Sequence, residues 1–369
     1  MTQLRLLSVA HNVGLGGAAR SLRELIRNYD GADFDLAVPR FASVPDDAAI
    51  RSFFGDRLRR ICRFWLPWSE VYAGHPTVRQ SARSHLLFPL AWRAQQASFE
   101  RFVRREHYDL VHLNSLVLHP MLRADLPMLL HVREILTEQH DRVRADAARA
   151  AGVIFIDEAT RKPFTARLPE GHVVLNNPVD MTAVGTLPAS LDERLHGRRD
   201  HLTVFAMIGD LNAEKGTPFV IDAFREVRSP DVRLVLVGRS ADRAAFEQLA
   251  AGDSRIILWG EEREIAQVYS AADHVIRGEA YPCVGRTIYE ALYAGCGVIV
   301  PGAADTNELF ERERFADRVR FYAPRDRAAF VAAIEAAAPH RYPTKQGASN
   351  VTAYVAEFDR FVRRVLGKA

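Results

Sequence analysis

The sequence predicts two α/β domains, each built on a parallel sheet covered by helices, that face each other across a cleft. Three observations predict this fold class. Strand-like apolar runs alternate with helix-like patterns in the first half of the chain, and the same alternation begins again near His201. The chain of 369 residues is too long for one ordinary core. Residues 180–199, with glycine, proline and mixed polarity, have the composition of a linker.

In the first half, a Gly-rich loop follows the first predicted strand. Gly16 and Gly17 precede a helix whose apolar face begins at Leu22. In a doubly wound sheet such a loop lies at the carboxyl ends of the strands, where ligands bind. The glycine spacing differs from the dinucleotide fingerprint, which disfavours nicotinamide binding. The predicted strands are residues 4–9, 35–38, 110–113, 128–132 and 152–156.

The second half repeats the theme. The loop 209–216 leads into a helix with Val220, Phe224 and Val227 on one face, at positions i, i+4 and i+7. Near the end of the chain, residues 351–366 carry another apolar helical stripe. The predicted strands are residues 202–208, 232–237, 255–259, 274–276 and 298–300.

Composition indicates a globular protein of a reducing compartment. The hydrophobic fraction is 48%, the charged fraction is 26% and the formal net charge is +3. Cys62, Cys283 and Cys296 lack metal-ligand spacing and leave an odd thiol. Residues 4–9 form a strand-length run rather than a signal peptide, and no run reaches the roughly 18 to 20 apolar residues of a transmembrane helix. We therefore expect a cytoplasmic protein.

Residues 278–307 (GEAYPCVGRTIYEALYAGCGVIVPGAADTN) predict an anion site. A helix is expected from about Arg286, after a loop broken by proline and glycine. The backbone N–H groups of Val284, Gly285 and Arg286 then lack intrahelical partners at the positive end of the helix dipole. Phosphate is the natural ligand of such a site. Glu290, one turn into the helix, can direct its carboxylate at paired hydroxyls such as those of a ribose.

The segment 51–106 departs from the α/β pattern. Arginine outnumbers acidic residues there, and large aromatic side chains are interleaved with the arginines. This composition suits contact with anionic lipid headgroups or with a pyrophosphate-bearing acceptor. An arginine-decorated solvent face over ordinary packed aromatics explains it equally well. No nucleic-acid motif accompanies the arginines, so we expect no nucleic-acid partner.

Several motifs, in order along the chain, resemble those of one enzyme family. GLGGAARSL resembles its Gly-Gly-x-x-Arg-x-Leu loop, and residues 175–180 (LNNPVD) resemble its interdomain signature. Residues 209–216 resemble its Gly-Arg-x-x-x-x-Lys-Gly loop, residues 234–238 its Leu-Val-Leu-Val-Gly strand, and residues 278–307 its donor-binding helix. The chain thus resembles the retaining glycosyltransferases of group 1 (family 4), which have two Rossmann-like domains facing across a cleft, the GT-B fold.

The resemblance implies a domain plan. Residues 1–182 would form a Rossmann-like acceptor domain, and residues 200–350 a Rossmann-like domain for the nucleotide-sugar donor. The C-terminal helix, within 351–369, would pack back on the first domain. The acceptor would be a saccharide, with a membrane-borne lipid-linked saccharide favoured by the basic aromatic segment 51–106.

The resemblance also implies site residues. Lys215 matches the residue that holds the donor diphosphate, and Glu290 the one that binds ribose hydroxyls. His131 stands at a strand end where the family often places a residue near the donor sugar, although a structural histidine is nearly as plausible. Together, the implied catalytic residues are His131, Lys215 and Glu290. The implied donor-binding residues are Gly16, Gly17, Gly209, Lys215, Arg239, Glu279, Val284, Gly285, Arg286 and Glu290.

The acceptor-binding residues expected beside them are Asn114, Ser115, Arg133 and Glu134. Asn114 and Ser115 follow a predicted strand, where contact with the acceptor and simple turn formation are both consistent with the sequence.

Two positions depart from the family pattern. Pro282 stands where the family has the first glutamate of its donor helix motif, and Glu279 is the nearest carboxylate. Asp210 stands where the family has an arginine beside the diphosphate. Arg239, Arg277 and Arg286 are the candidates to supply the missing positive charge.

The implied chemistry needs neither cofactor nor metal. Lys215 and helix N–H groups would stabilise the departing nucleoside diphosphate, and the acceptor hydroxyl would attack from the same face, which retains the anomeric configuration. Two other functions stay open at this stage. One is a sugar-nucleotide epimerase on the same fold, and the other is a non-catalytic nucleotide-sugar-binding scaffold in which Pro282 and Asp210 mark lost chemistry.

Overall fold

The structure is a computed structural model that describes most of the chain. The described residues are 3–13, 16–40, 44–66, 82–136, 141–168, 171–185, 191–262, 264–280, 285–302, 315–342 and 345–367, with only the backbone of 82–89, 166–167 and 316. They divide into two units. The N-terminal unit is Met1–Pro178 with Val351–Ala369, and the C-terminal unit is Val179–Asn350.

The N-terminal unit has a seven-stranded sheet in which all neighbours are parallel. Its order is β3-β2-β1-β4-β5-β6-β7, so the first strand is central and the direction of winding reverses between β1 and β4. The strands are β1 (Leu4–Val9), β2 (Ala32–Pro39), β3 (Leu58–Phe64), β4 (Leu110–Leu113), β5 (Met128–Val132), β6 (Gly152–Phe155) and β7 (His172–Val174).

Helices connect these strands, as parallel pairing requires. The N-terminal unit has α1 (Gly17–Asn28), α2 (Asp47–Phe54), α3 (Ala82–Glu106), α4 (Asp141–Ala147), α5 (Glu158–Arg161) and, at the end of the chain, α12 (Val351–Val365). Short 3-10 helices cover Leu116–Met121 and Lys162–Arg167.

Helix α12 completes one face of this sheet. Its apolar positions follow helical spacing, and Tyr354, Phe358, Phe361 and Val362 are all buried. They belong to the same core cluster as strand residues of the N-terminal unit such as Leu6. The end of the chain is therefore part of the core of the first unit.

The C-terminal unit has a six-stranded parallel sheet in the order β10-β9-β8-β11-β12-β13. The strands are β8 (Thr203–Ile208), β9 (Val232–Val237), β10 (Ile256–Gly260), β11 (His274–Ile276), β12 (Gly297–Pro301) and β13 (Val319–Tyr322). Its described helices are α6 (Leu191–Arg194), α7 (Thr217–Phe224), α8 (Arg243–Ala250), α9 (Ile265–Ala271), α10 (Arg286–Tyr293) and α11 (Arg327–Ala337).

Near-continuous apolar strands explain both sheets, because a parallel strand covered on two faces has no solvent side. Every residue of β8 and of β12 is buried. The apolar faces of α7 and α11 pack on the second sheet in one cluster that includes Val220, Phe224 and Phe330. The fold class predicted from the sequence is thus confirmed as two parallel-sheet α/β units.

Three strands lie outside the sequence prediction, and each is at a sheet edge. Strand β3 falls within the arginine-rich segment 51–106, β7 has three residues, and β13 reads Val-Arg-Phe-Tyr. An edge strand has one unpaired side and less cover, so it keeps polar residues that hide the apolar pattern.

None of the helices in the described part of the chain combines the length and the apolar character of a membrane span.

Candidate functional site

Two glycines bring the loop after β8 against the end of β11. Gly216 has φ +74, and a Cβ at this position would stand 1.7 Å from the carbonyl oxygen of Gly278. The Cβ of any other residue would clash with the backbone, so this close approach requires glycine. Gly216 also precedes α7 as its N-cap residue. Because the two glycines touch, their neighbours Lys215 and Glu279 are brought side by side.

Glu279 is the centre of a charge cluster. Its carboxylate is 0% exposed, and both of its oxygens lie 3.0 Å from Nε of Arg277, whose one N–H they share in a bifurcated hydrogen bond; Nη2 of Arg277 makes a further contact. Nζ of Lys215 lies 3.6 Å from Oε1 of Glu279, and the lysine side chain is 38% exposed. One buried carboxylate therefore faces two cations, of which Lys215 is the more exposed, at 38% against 10% for Arg277.

The charge state of Glu279 follows from this arrangement. Burial alone raises the pKa of a carboxyl group, but Arg277 and then Lys215 hold the pKa of Glu279 below its usual range. The carboxylate is consequently charged at neutral pH. The cluster of Lys215, Arg277 and Glu279 carries one net positive charge.

The amino end of α10 lies against the same arginine. Gly285 is the N-cap residue of this helix and has no side chain with which to cap it. A Cβ on Gly285 would stand 2.7 Å from Nη1 of Arg277, and that nitrogen donates a hydrogen bond of 2.8 Å to Oγ1 of Thr287. A helix start, an arginine and a lysine thus lie around one short stretch of backbone. Val284 and Pro282 lie outside the described residues.

Glu290 lies one turn into α10 and is almost wholly buried. Its Oε1 accepts a hydrogen bond of 2.7 Å from Nε of Arg286, and its Oε2 accepts one of 2.7 Å from the hydroxyl of Tyr269. The side chain of Glu290 is 2% exposed. Binding of a ribose by Glu290, as the resemblance implies, stays a prediction.

Asp210 and Arg239 form a separate, exposed pair. Nη2 of Arg239 lies 3.2 Å from Oδ1 of Asp210, and the two side chains are 72% and 57% exposed. Asp210 follows Gly209, which has φ +135, at the end of β8. Arg239 was a candidate to supply the positive charge that the family's arginine provides and Asp210 does not. It is instead paired with Asp210, which partly neutralises it.

In the N-terminal unit, the described part of the Gly-rich loop ends at α1. Gly16 is the N-cap residue and Gly17 the first residue of the helix. A Cβ on Gly16 would meet no atom within 4 Å. The hydroxyl of Ser21, one turn later, lies 3.0 Å from the carbonyl oxygen of Gly17 and 2.9 Å from Oδ1 of Asn177, so these two acceptors share its one proton.

Arg133 connects the polar side chains at the end of β5. Its Nε and Nη2 donate to Oδ1 of Asn114 at 3.1 and 2.9 Å, and its Nη1 donates to Oδ1 of Asn177 at 2.5 Å. Its Nη2 also lies 3.3 Å from Nδ1 of His131. His131 is 0% exposed, and burial, then the charge of Arg133, lowers its pKa well below the ordinary value. His131 is therefore neutral at physiological pH.

Ser115 and Glu134 serve the local backbone. The carboxylate of Glu134 accepts hydrogen bonds from the Ser115 hydroxyl, from Leu116 N at 2.8 Å and from Arg133 N at 3.2 Å. Oγ of Ser115 in turn accepts from Val117 N at 3.1 Å and caps the 3-10 helix that follows. For Ser115 and Glu134 a turn-forming role is visible, and contact with an acceptor stays a prediction.

The arginines of β3 have partners within the unit. Arg59 pairs with the buried Asp35 at 3.0 Å, and Arg60 and Arg63 pair with carboxylates of α3 and α2 at 2.9 and 2.7 Å. The three arginine side chains are 28–46% exposed. Much of the positive charge of this strand is thus compensated internally, which favours the solvent-face interpretation of the segment over a lipid-binding one.

Sequence reasoning missed the side chains that connect these sites. Each of these side chains lies in an apolar strand, in a helix, or in a motif interpreted through its backbone, so the sequence offered little reason to select it. They are Ser8, His112, Asn177, Tyr269 and Thr287. A signal for His112 was present in the sequence, since it is a histidine inside the otherwise apolar strand run Leu-Val-His-Leu. No cluster of three or more metal-ligating side chains is present among the described residues.

The described architecture matches a known enzyme fold. The chain is similar to HepE from Anabaena in complex with UDP, with a TM-score of 0.68 at 20% identity over 100% of this chain and 98% of that one. It is similar to the sucrose-phosphate synthase of Thermosynechococcus elongatus, with a TM-score of 0.71 at 15% identity over 100% of both chains. The fold is GT-B.

The second unit also has a sequence relationship. Residues 203–338, which run from β8 through α11, match the family model described as "Glycosyl transferases group 1". The chain is also similar to a third solved structure, a glycosyltransferase from Rickettsia africae. The TM-score is 0.66 at 13% identity over 100% of both chains. No curated protein sequence gives a significant match.

Proposed function

We propose that the protein is a glycosyltransferase that moves a hexosyl or deoxyhexosyl group from a nucleoside-diphosphate sugar to a hydroxyl of a saccharide acceptor. The observation that carries the proposal is the cluster of Lys215, Arg277 and Glu279 beside the amino end of α10. It lies within the span that matches the group 1 family model. The C-terminal unit is then the donor unit, and the N-terminal unit is the acceptor unit.

Lys215 is the residue we assign to the diphosphate. It combines a positive charge, partial exposure and a position fixed by the Gly216–Gly278 contact. An ammonium group is an effective point-charge partner for phosphate, and the amino end of a helix adds backbone donors. UDP is the first nucleotide to test, because similar structures of HepE hold UDP and UDP-glucose.

We further propose retention of anomeric configuration without a metal ion. Lys215 and the first-turn N–H groups of α10 stabilise the negative charge that develops on the leaving diphosphate. The leaving phosphate oxygen can then accept the proton of the acceptor hydroxyl on the same face. This assignment needs no general base. Gly209 and Gly285 are the described glycines of the C-terminal unit that we assign to the donor.

The acceptor is proposed to be lipid-linked, as in bacterial polysaccharide synthesis, with the chain acting at the cytoplasmic face of the membrane. The composition of segment 51–106, in which arginines outnumber acidic residues and are interleaved with large aromatics, supports this proposal. The arginines of β3 themselves are paired within the unit and do not add to it. Asn114 and Arg133 are the described polar residues at the ends of β4 and β5 that we assign to the acceptor.

One observation favours a second function, a non-catalytic nucleotide-sugar-binding scaffold. Each cation expected near the diphosphate faces a carboxylate: Arg239 faces Asp210, Arg286 faces Glu290, and Lys215 shares Glu279 with Arg277. Such pairing weakens the attraction for a diphosphate. It is compatible with binding but leaves less electrostatic stabilisation for a leaving group.

The test measures sugar transfer directly. Purified protein is incubated with UDP-, GDP-, ADP- and dTDP-sugars that carry labelled glycosyl groups. The acceptor is a lipid extract that contains lipid-linked saccharides, and each reaction is run with and without EDTA. We expect label in the lipid fraction at equal rates in both conditions, and an unchanged anomeric configuration by NMR. Saturable binding without transfer would support the scaffold, and absence of binding to any nucleotide would contradict both functions.

A further inference from the structure

Three buried polar side chains form a row across neighbouring strands of the N-terminal unit. Ser8 on β1 and His112 on β4 are direct partners in the strand register, and β4 pairs with β5, which carries His131. Oγ of Ser8 lies 3.4 Å from Nδ1 of His112, and Nε2 of His112 lies 3.3 Å from Nδ1 of His131. All three residues are 0% exposed, and the ring of Phe358 from α12 packs 5.8 Å from that of His112.

Arg133 determines the direction of this row. Its Nη2 lies 3.3 Å from Nδ1 of His131, and a guanidinium group can donate hydrogen bonds but cannot accept them. Nδ1 of His131 must therefore be the acceptor. Burial is the largest effect that keeps both imidazoles uncharged, since it lowers the pKa of His112 to about 3 and that of His131 well below the ordinary value. A neutral His131 with an accepting Nδ1 carries its proton on Nε2.

The proton positions of the other two residues follow. Nε2 of His112 faces the same accepting atom, so it must carry a proton, and Nδ1 of His112 is then free to accept from the hydroxyl of Ser8. The row becomes a chain of donors that runs from Ser8 through His112 to His131. Its last donor, Nε2–H of His131, is buried and has no hydrogen-bond partner among the described residues.

A buried donor without an acceptor costs free energy, because its hydrogen bond to water is lost and not replaced. We infer that Arg133 and His112 are positioning residues that hold His131 as an Nε2–H hydrogen-bond donor for an oxygen atom of a bound ligand. The ligand class is one with a hydroxyl or carbonyl oxygen at this point, and a group that only donates, such as an ammonium, is excluded. The identification of that oxygen with a sugar hydroxyl rests on the proposed function, whereas the tautomer does not.

His131 held in this tautomer is not a general base. His131 cannot remove a proton from an acceptor hydroxyl when Arg133 and His112 share the one lone pair of its Nδ1 and its Nε2 carries a proton. His131 then contributes orientation and a hydrogen bond rather than general-base catalysis. This agrees with a mechanism in which the leaving diphosphate accepts the proton.

The test is long-range ¹H–¹⁵N NMR of ¹⁵N-histidine-labelled protein at pH 7.5, with the His131 signals assigned by their loss in His131→Asn. We expect both His112 and His131 as neutral Nε2–H tautomers in the wild-type protein, without any ligand. An Nδ1–H or doubly protonated His131 would overturn the inference. This measurement does not depend on activity, so it stands even if no nucleotide sugar binds.

Variants separate positioning from general support of the fold. Arg133→Met is expected to give a mixture of His131 tautomers and at least a 10-fold lower kcat/KM with UDP-glucose, whereas Arg133→Lys, which also only donates, restores the single tautomer. Arg360→Met on the exposed face of α12 is the control, with tautomers and rates unchanged. A single unchanged tautomer in Arg133→Met would overturn the role of Arg133.

Discussion

Nζ of Lys215 lies 3.6 Å from Oε1 of Glu279, a carboxylate that is wholly buried and also bound to Arg277. Solvent reaches the side chain of Lys215 but not that of Glu279. Under the proposed function, a diphosphate that arrives from solvent would meet Lys215 first and would compete with Glu279 for it. The pair explains how a loop lysine is held in place before a ligand is bound.

The ion pair of Glu279 and Arg277 should contribute strongly to stability. Glu279→Gln keeps the volume but leaves the buried guanidinium without its counter-charge, which costs about 3–5 kcal/mol in such pairs. Urea unfolding of the purified protein measures the change. The control is Asp210→Asn, which breaks the exposed pair with Arg239 and should cost about 0–1 kcal/mol. Equal losses in the two variants would show that burial of Glu279 is not what makes its pair strong.

Gly216→Ala tests the close contact with Gly278. The new Cβ would stand 1.7 Å from a carbonyl oxygen, so the loop that carries Lys215 must move. We expect a loss of nucleotide binding of at least 10-fold together with lower stability. Gly252→Ala is the matched control, because Gly252 has φ +89 but no atom within 4 Å of a Cβ. It should cost about 1–2 kcal/mol from backbone strain alone and leave binding intact. Wild-type affinity in Gly216→Ala would contradict the role assigned to this contact.

The stability of the C-terminal unit should fall as pH decreases from 7 to 5, in part through His274. This imidazole stacks on Phe205 with ring centroids 5.1 Å apart, and burial lowers its pKa to about 4. The unfolded chain protonates His274 near its ordinary pKa of 6.5, whereas the folded protein does not until about pH 4. Stability is thus present in full above pH 6.5 and is lost as pH falls toward 4, by up to about 1.4 kcal/mol per pH unit.

His274→Phe removes the titrating group but keeps an aromatic ring beside Phe205. The variant is expected to be less stable at pH 7, because the hydrogen bond to the carbonyl of His340 is lost. Its stability should also change less between pH 7 and pH 5 than that of the wild type. Chemical denaturation at both pH values measures this difference. A variant with the full wild-type pH dependence would exclude His274 as the cause.

The sequence predicted the interior of each sheet better than its edges. Central strands such as β8 and β12 are apolar throughout and were recognised, because burial on both faces leaves a continuous apolar run. Strand β3 was read as part of an irregular basic segment. Its arginines are compatible with a strand because they reach carboxylates such as Asp35, a partner that only the folded chain brings close.

The candidate site shows the same division. The sequence predicted the cap position of Gly285 and the helix position of Glu290 from local patterns, and it offered Lys215 through the resemblance of residues 209–216 to the family loop. It could not show that Glu279 is bound to Arg277 or that Glu290 is held by Arg286 and Tyr269, since these contacts depend on how strands and helices pack. Nor could it show the buried row from Ser8 to His131. Residues on separate strands become neighbours only through the strand order.

The role of Lys215 in nucleotide binding is tested most directly by calorimetry. UDP, and then GDP, ADP and dTDP, are titrated into the wild-type protein, Lys215→Ala and Lys162→Ala. Lys162 is an exposed lysine of the N-terminal unit and serves as the control for loss of one positive charge. We expect saturable binding of one nucleotide, weakened about 10- to 150-fold in Lys215→Ala, because hydrogen bonds to charged groups contribute roughly 1.5–3 kcal/mol. Lys162→Ala should bind as the wild type does. Equal affinity in wild type and Lys215→Ala, or no binding of any of the four nucleotides, would contradict the assignment of this cluster as a donor diphosphate site.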